Sequence, residues 1–235
     1  PPGAIELWTS GTSGVPDPGM RDLAGHFAGA WPYLQLIAEA SGIDDPLDAR
    51  VVEAYWIGSS LLEGIDVRPL ADTLRAHFGS GSGSFAYEER PIPEGALPHH
   101  SFHVFGVYPW AGMLRGGHGD HPLQVLDRCR IRAGTVLETA GDTALVKNRR
   151  LGFDGSHLKL GPNVEETVKV AAGGAGFVTD LEPGDRVALH WDWVCGHLDD
   201  RQFGNLAHYT QHHVAMVNEH LGETRNTRSC SGHEC

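Results

Sequence analysis

Long apolar runs are missing from this 235-residue chain: none approaches the ~20 residues that a membrane helix needs, so no membrane span is expected. Basic charge is scarce too. Eighteen Lys and Arg stand against 30 Asp and Glu, a formal net charge of -12. Counterion release from a nucleic-acid backbone needs clustered cations, so nucleic acid is not an expected partner. Cysteine is sparse and wrongly spaced for a zinc ribbon or a thioredoxin motif, because Cys129, Cys195, Cys230 and Cys235 form no C-x-x-C pair. The opening residues lack a basic-then-apolar secretion signal, and Pro1 in place of Met is expected of a processed, trimmed or incompletely represented chain. Reduced thiols and a cytoplasmic location follow as expectations. Phosphate-loop chemistry is also absent, since Gly173-Gly174-Ala175-Gly176 is not followed by Lys-Ser or a helix start. Gly79-Ser80-Gly81-Ser82-Gly83 matches a nucleophile elbow only in its letters.

What is present suggests two compact domains, or one with a large extension. Residues 1–16, rich in Gly, Ser, Thr and Pro, read as irregular. Asp17-Pro18 and Asp45-Pro46 are helix-start signals, each followed by an apolar stripe, and Pro32 should break the first of these helices. A third helix is expected near Val67–Phe78. Residues 1–84 thus form a helical domain ending in the linker Gly79–Ser84, and 85–125 are a histidine-rich connection. From Cys129 the apolar period changes to two. Thr135–Glu138 and Ala144–Val146 flank Gly141-Asp142 as a hairpin, and Val164–Val170 and Arg186–His190 add strands. Asp199 with Gln202 makes a capping box for a last helix reaching Leu221, and 222–235 form a polar tail. The fold class is α+β: a helical front, then a small barrel over 126–221 closed by a helix.

Histidine is the unusual residue, with fifteen copies. In His99-His100-Ser101-Phe102-His103 read as a strand, His99 and His103 share one face while His100 points away. The two could ligate iron, nickel or zinc with a carboxylate such as Asp192, or they could cap aromatic packing. His208 and His212 are i,i+4 neighbours, able to chelate or simply to be solvated. In His190-Trp191-Asp192-Trp193, alternation puts His190 and Asp192 on one side and the tryptophans, as core or interface anchors, on the other.

The barrel region resembles the HypC-type chaperones of nickel–iron hydrogenase assembly. The resemblance rests on Cys129, Gly134-Thr135-Val136, Gly141-Asp142-Thr143-Ala144-Leu145-Val146, Leu181–His190 with its Pro183-Gly184-Asp185 turn, Trp191–Val194 and Leu198-Asp199-Asp200, in that order. It implies an OB-like barrel with a C-terminal helix. It also implies a thiolate and an imidazole, here Cys129 and His190, holding iron destined for the hydrogenase large subunit. The chain departs from that pattern where Cys129 is internal, Arg130–Ala133 replace the following proline, and Asp192 and Trp193 stand near the expected glycine and phenylalanine. The whole chain, including Gly29–Leu34 and Pro98–Phe105, also resembles an uncharacterised actinobacterial family encoded near hydrogenase genes.

Three function classes follow. The first is an assembly factor that binds a metal fragment or an immature protein client, such as the large subunit or another maturation factor, through Cys129 and His190. The second is a metal-dependent enzyme using His99, His103 and His190 with Asp192. The third is an interaction module without metal chemistry. In each, His100, Trp191 and Trp193 are candidate binding residues.

Overall fold

The computed structural model describes residues 4–13, 19–27, 29–78, 92–117 and 120–229. The Gly79–Ser84 linker, the Asp17-Pro18 start signal, His118, Cys230 and Cys235 lie outside the described residues. The architecture is α+β: a helical front, five strands, and a C-terminal helix. Among the described residues no helix is long and apolar enough to cross a membrane.

The front contains α1 (Ala4–Ser13), α2 (Gly19–Gly25), α3 (Trp31–Ala40), α4 (Ala49–Trp56) and α5 (Arg68–Phe78). Pro32 breaks the first expected helix as its missing donor requires, standing in the opening turn of α3. Two expectations are corrected. Residues 4–13 are helical rather than irregular, and the Trp8 ring packs edge-on against Phe177 and Trp193 at 4.8 and 4.7 Å. Packing against the barrel outweighs the poor helix propensity of that segment. Asp48, and not Asp45, caps α4, its carboxylate accepting from Arg50 N at 2.9 Å; Asp45 instead accepts from Leu47 N in the turn before it.

Next come α6 (His100–Phe102), continued by a π-helical turn over His103–Val107, then α7 (Trp110–Arg115) and α8 (His121–Cys129). His99–His103 is therefore helical rather than extended. The His99 ring accepts from Ser101 N, which caps the helix start.

The strands are β1 (Arg132–Ala140), β2 (Thr143–Phe153), β3 (Leu158–Lys169), β4 (Arg186–His190) and β5 (Trp193–His197). They close on themselves in the order β1-β2-β3-β5-β4, with β4 back on β1. The β3–β5 seam rests on one parallel bridge, Lys169 to Trp193. Gly141-Asp142 joins β1 to β2 as expected, with Gly141 at φ +57, where a side chain would strain the turn. Val136, Val146, Val168, Val187, Leu189 and Val194 fill the closed sheet.

The last helix, α9 (Asp200–Ser229), carries the expected capping box: Gln202 N donates to Asp199 Oδ1 at 2.6 Å, and Gln202 Oε1 accepts from Asp199 N at 3.0 Å. It ties the two halves together. Tyr209 donates to Ser59 O at 2.7 Å, and its ring lies over Gly58, where any Cβ would overlap it at 2.0 Å. One apolar core runs from Tyr33, Ile37, Leu62 and Leu74 of the front through Phe102 and Leu126 to Leu151, Leu158 and Val217. Each fully buried Leu or Ile there contributes ~1.5–3 kcal/mol.

Candidate metal centre

The end of α8 and the turn between β4 and β5 build the site. Trp191 and Asp192 form that turn, so the expected alternation stops at His190. Three contacts clamp it: Trp191 N donates to Arg128 O at 2.7 Å, Arg132 donates to Trp191 O, and the Arg128 guanidinium pairs with Asp192. Trp191 is held at φ +53, an uncommon conformation for a bulky residue that persists only when its surroundings over-determine it. Because α8 ends at Cys129, the clamp sets the thiol beside His190.

The third member arrives on α6. The ligand atoms of His100, Cys129 and His190 all lie within 4.8 Å of one another. Around an ion with bonds of ~2.0–2.3 Å, tetrahedral donors are ~3.3–3.7 Å apart, so about an ångström of closure completes such a site. His100 is buried, while Cys129 and His190 are half-buried. His100 Nε2 lies 2.9 Å from Cys129 O and must donate to it. Nδ1 is left as the lone pair, 3.2 Å from the Tyr55 hydroxyl, which itself donates to Gly29 O at 2.8 Å. A metal-binding histidine commonly donates one ring N–H to a carbonyl, as His100 does to Cys129 O.

Electrostatics favour neutral ligands. Burial, and then the neighbouring His190 ring, pushes the His100 pKa well below the usual range; burial lowers His190 to about 4. The Nε2 atom of His190 is buried without a hydrogen-bond partner among the described residues. Burial pushes the Cys129 thiol up to about 11, so it is protonated near neutrality until a metal displaces the proton. Two imidazoles and one thiolate suit borderline and soft transition metals and leave a fourth position open.

The other expected ligands go elsewhere. Asp192 is held by Arg128 and is not in the group. The ring of His103 faces Tyr33, whose hydroxyl is 2.9 Å from Nδ1. His99 enters a separate buried network, with its Nδ1 2.7 Å from Ser101 Oγ, which in turn is 2.7 Å from His213 Nδ1. The set His99, His103, His190 and Asp192 is therefore not assembled, because a helix and a π turn send those rings to different neighbours. The helix-face pair is not assembled either. His212 Nε2 contacts Gly95 O at 2.6 Å, while His208 packs on Tyr209. Trp193 packs on Trp8 with Lys169 Nζ over its ring, and Trp191 stays 40% exposed beside the site. Reading His99–His103 as a strand turned His100 away from the ligands. The cap at His99 was the missed signal, since it starts a helix there and frees the next ring to face α8.

No curated protein and no solved structure matches this chain. The match to a family covers residues 1–224, and the chain belongs to that family, DUF6390, described as a family of unknown function.

Proposed function

We propose that this protein is a metal-handling assembly factor that holds a transition metal at His100, Cys129 and His190 and presents it to a protein client. The observation that carries the reading is the convergence of two buried-neutral imidazoles and one thiol, from three separate segments, within 4.8 Å. Three protein ligands leave one position free, which is what transfer requires. The half-buried Cys129 and His190, with the exposed Trp191 beside them, offer a partner access. The metal is iron and the client an immature hydrogenase large subunit, in line with the chaperone resemblance of residues 126–221. A thiolate with imidazoles suits iron, and a cytoplasmic setting would keep Cys129 reduced.

The test is anaerobic purification from a host that makes a nickel–iron hydrogenase, followed by metal analysis and infrared spectroscopy. Stoichiometric iron, cyanide or carbon monoxide stretches and a co-purifying hydrogenase subunit are expected. Each of His100→Ala, Cys129→Ala and His190→Ala should remove the metal. A protein that carries no metal and takes up none of iron, nickel or zinc on titration overturns the metal centre. Bound metal with neither diatomic stretches nor a hydrogenase subunit overturns the iron and client assignment.

A further inference from the structure

Charge is unevenly distributed in this acidic molecule. A cavity of about 290 Å³ lies between β1, β2, part of β3 and helix α9, and its walls include Arg130, Lys147 and Arg149 but no carboxylate. Asp127 pairs with Arg130 and Arg150, and Glu166 pairs with Arg132 and Arg150, so this cluster carries three guanidinium groups against two carboxylates. Glu165 stands opposite Lys147 in the β2–β3 ladder, but no ion pair joins them among the described residues. One buried polar atom of a lining residue, Arg130 Nε, has no hydrogen-bond partner among the described residues. The Arg149 guanidinium donates to Gly161 O and Leu160 O, which keeps its charge at the wall.

We propose that this cavity binds a small organic anion, with a carboxylate or phosphate head toward Lys147 and Arg149. Excess positive charge beside a low-dielectric wall attracts an anion against the field of a chain with formal net charge -12. Phe203 and Leu206 of α9, with Leu160 of β3, suit an apolar body. The volume is at the small end for ligand sites, which favours a compact ligand of one ring or a short chain over a nucleotide. The site shares no residue with the metal centre.

The test uses the full chain and three probes of similar size: benzoate, phenyl phosphate and the cation benzamidine. Amide nitrogen–proton NMR should show saturable shifts from both anions, or from one of them, at Thr135, Lys147, Asn148, Thr210 and Gln211, and none there from benzamidine. Which anion binds tighter names the head group. Lys147→Glu should weaken anion binding about tenfold, as expected for reversing one charge near the head. Lys147→Gln, at an exposed position, should weaken it less and keep the native spectrum. Benzamidine shifting the same residues as strongly as the anions would overturn the proposal. So would the absence of saturable shifts with either anion, or anion binding indifferent to Lys147→Glu.

Discussion

His99 and His100 are neighbours in sequence, yet they enter two networks of opposite character. His100 meets Cys129 and His190, with one potential ligand atom from each within 4.8 Å of the others and no carboxylate in the group. His99 meets Ser101 and His213 in a hydrogen-bond chain. Ser101 N donates to His99 Nδ1, so that nitrogen is the acceptor, and Tyr209 O at 2.9 Å requires the proton on His213 Nδ1. The Ser101 hydroxyl therefore accepts from His213 and donates to His99. The His99 and His213 rings stack with centroids 5.6 Å apart, both almost wholly buried. The first group has ligand capacity left over. The second spends its Nδ1 atoms and the Ser101 hydroxyl on holding α9 against the 99–107 segment, while the buried Nε2 atoms of His99 and His213 have no hydrogen-bond partner among the described residues. Identical residue types differ in role because His99 caps the helix in an extended conformation while His100 stands in its first turn.

The comparison breaks most visibly in acid. His103 is held at about 4 and His213 at about 3, both chiefly by burial, against about 6.5 for an unfolded imidazole. Below pH ~6.5 the unfolded chain takes up protons that the folded chain refuses, so stability falls as pH drops toward those folded values. Each such histidine costs up to ~1.4 kcal/mol per pH unit in that window. Denaturant melts at pH 7.5, 6, 5 and 4 should therefore show a steep decline, and a flat profile would mean that these rings are not buried neutral.

The second prediction separates the networks. His213→Ala should cost ~2–4 kcal/mol, as loss of a buried, hydrogen-bonded ring does, while leaving metal stoichiometry intact. His190→Ala should cost about 1 kcal/mol and abolish metal binding. Urea melts and metal analysis on the two variants would show whether the roles are reversed. Third, apparent metal affinity should rise tenfold per pH unit between about pH 6 and 9, because only the Cys129 thiol still has a proton to lose. A competition titration with a chromophoric chelator measures that slope, and a slope near zero removes the thiol from the ligand set. The smallest effect belongs to Asp192→Asn. With Arg128 and Asp192 both about half exposed, the pair should contribute less than about 1 kcal/mol, and metal binding should hardly change. A complete loss of metal in that variant would return Asp192 to the site.

Local signals were legible wherever the backbone satisfies itself nearby. The Gly141-Asp142 turn, the Asp199–Gln202 box and the strands around Val146, Val168 and Leu189 could all be read from pattern and spacing. Several local readings failed. His99–His103 alternates as a strand would, yet His99 caps a helix. Residues 4–13 look irregular, yet Trp8 finds Phe177 and Trp193 far along the chain. The short β5 was not expected either, because its partners are β4 and a single bridge to β3. Of the candidate site, Cys129 and His190 were legible through the resemblance, and His100 was named only as a binding residue.

By itself the sequence determined the α+β order, the acidic surface charge, the turns and caps, and the supply of thiol and imidazole groups, since each depends on residues close in the chain. Tertiary structure alone decided which histidines meet. The clamp on Trp191-Asp192 set His190 against Cys129, and the helix starting at His99 turned one ring to that thiol and its neighbour to His213. The physical reason is that ligand convergence depends on ångström distances between segments tens of residues apart, which are set by packing and buried hydrogen bonds rather than by local propensity.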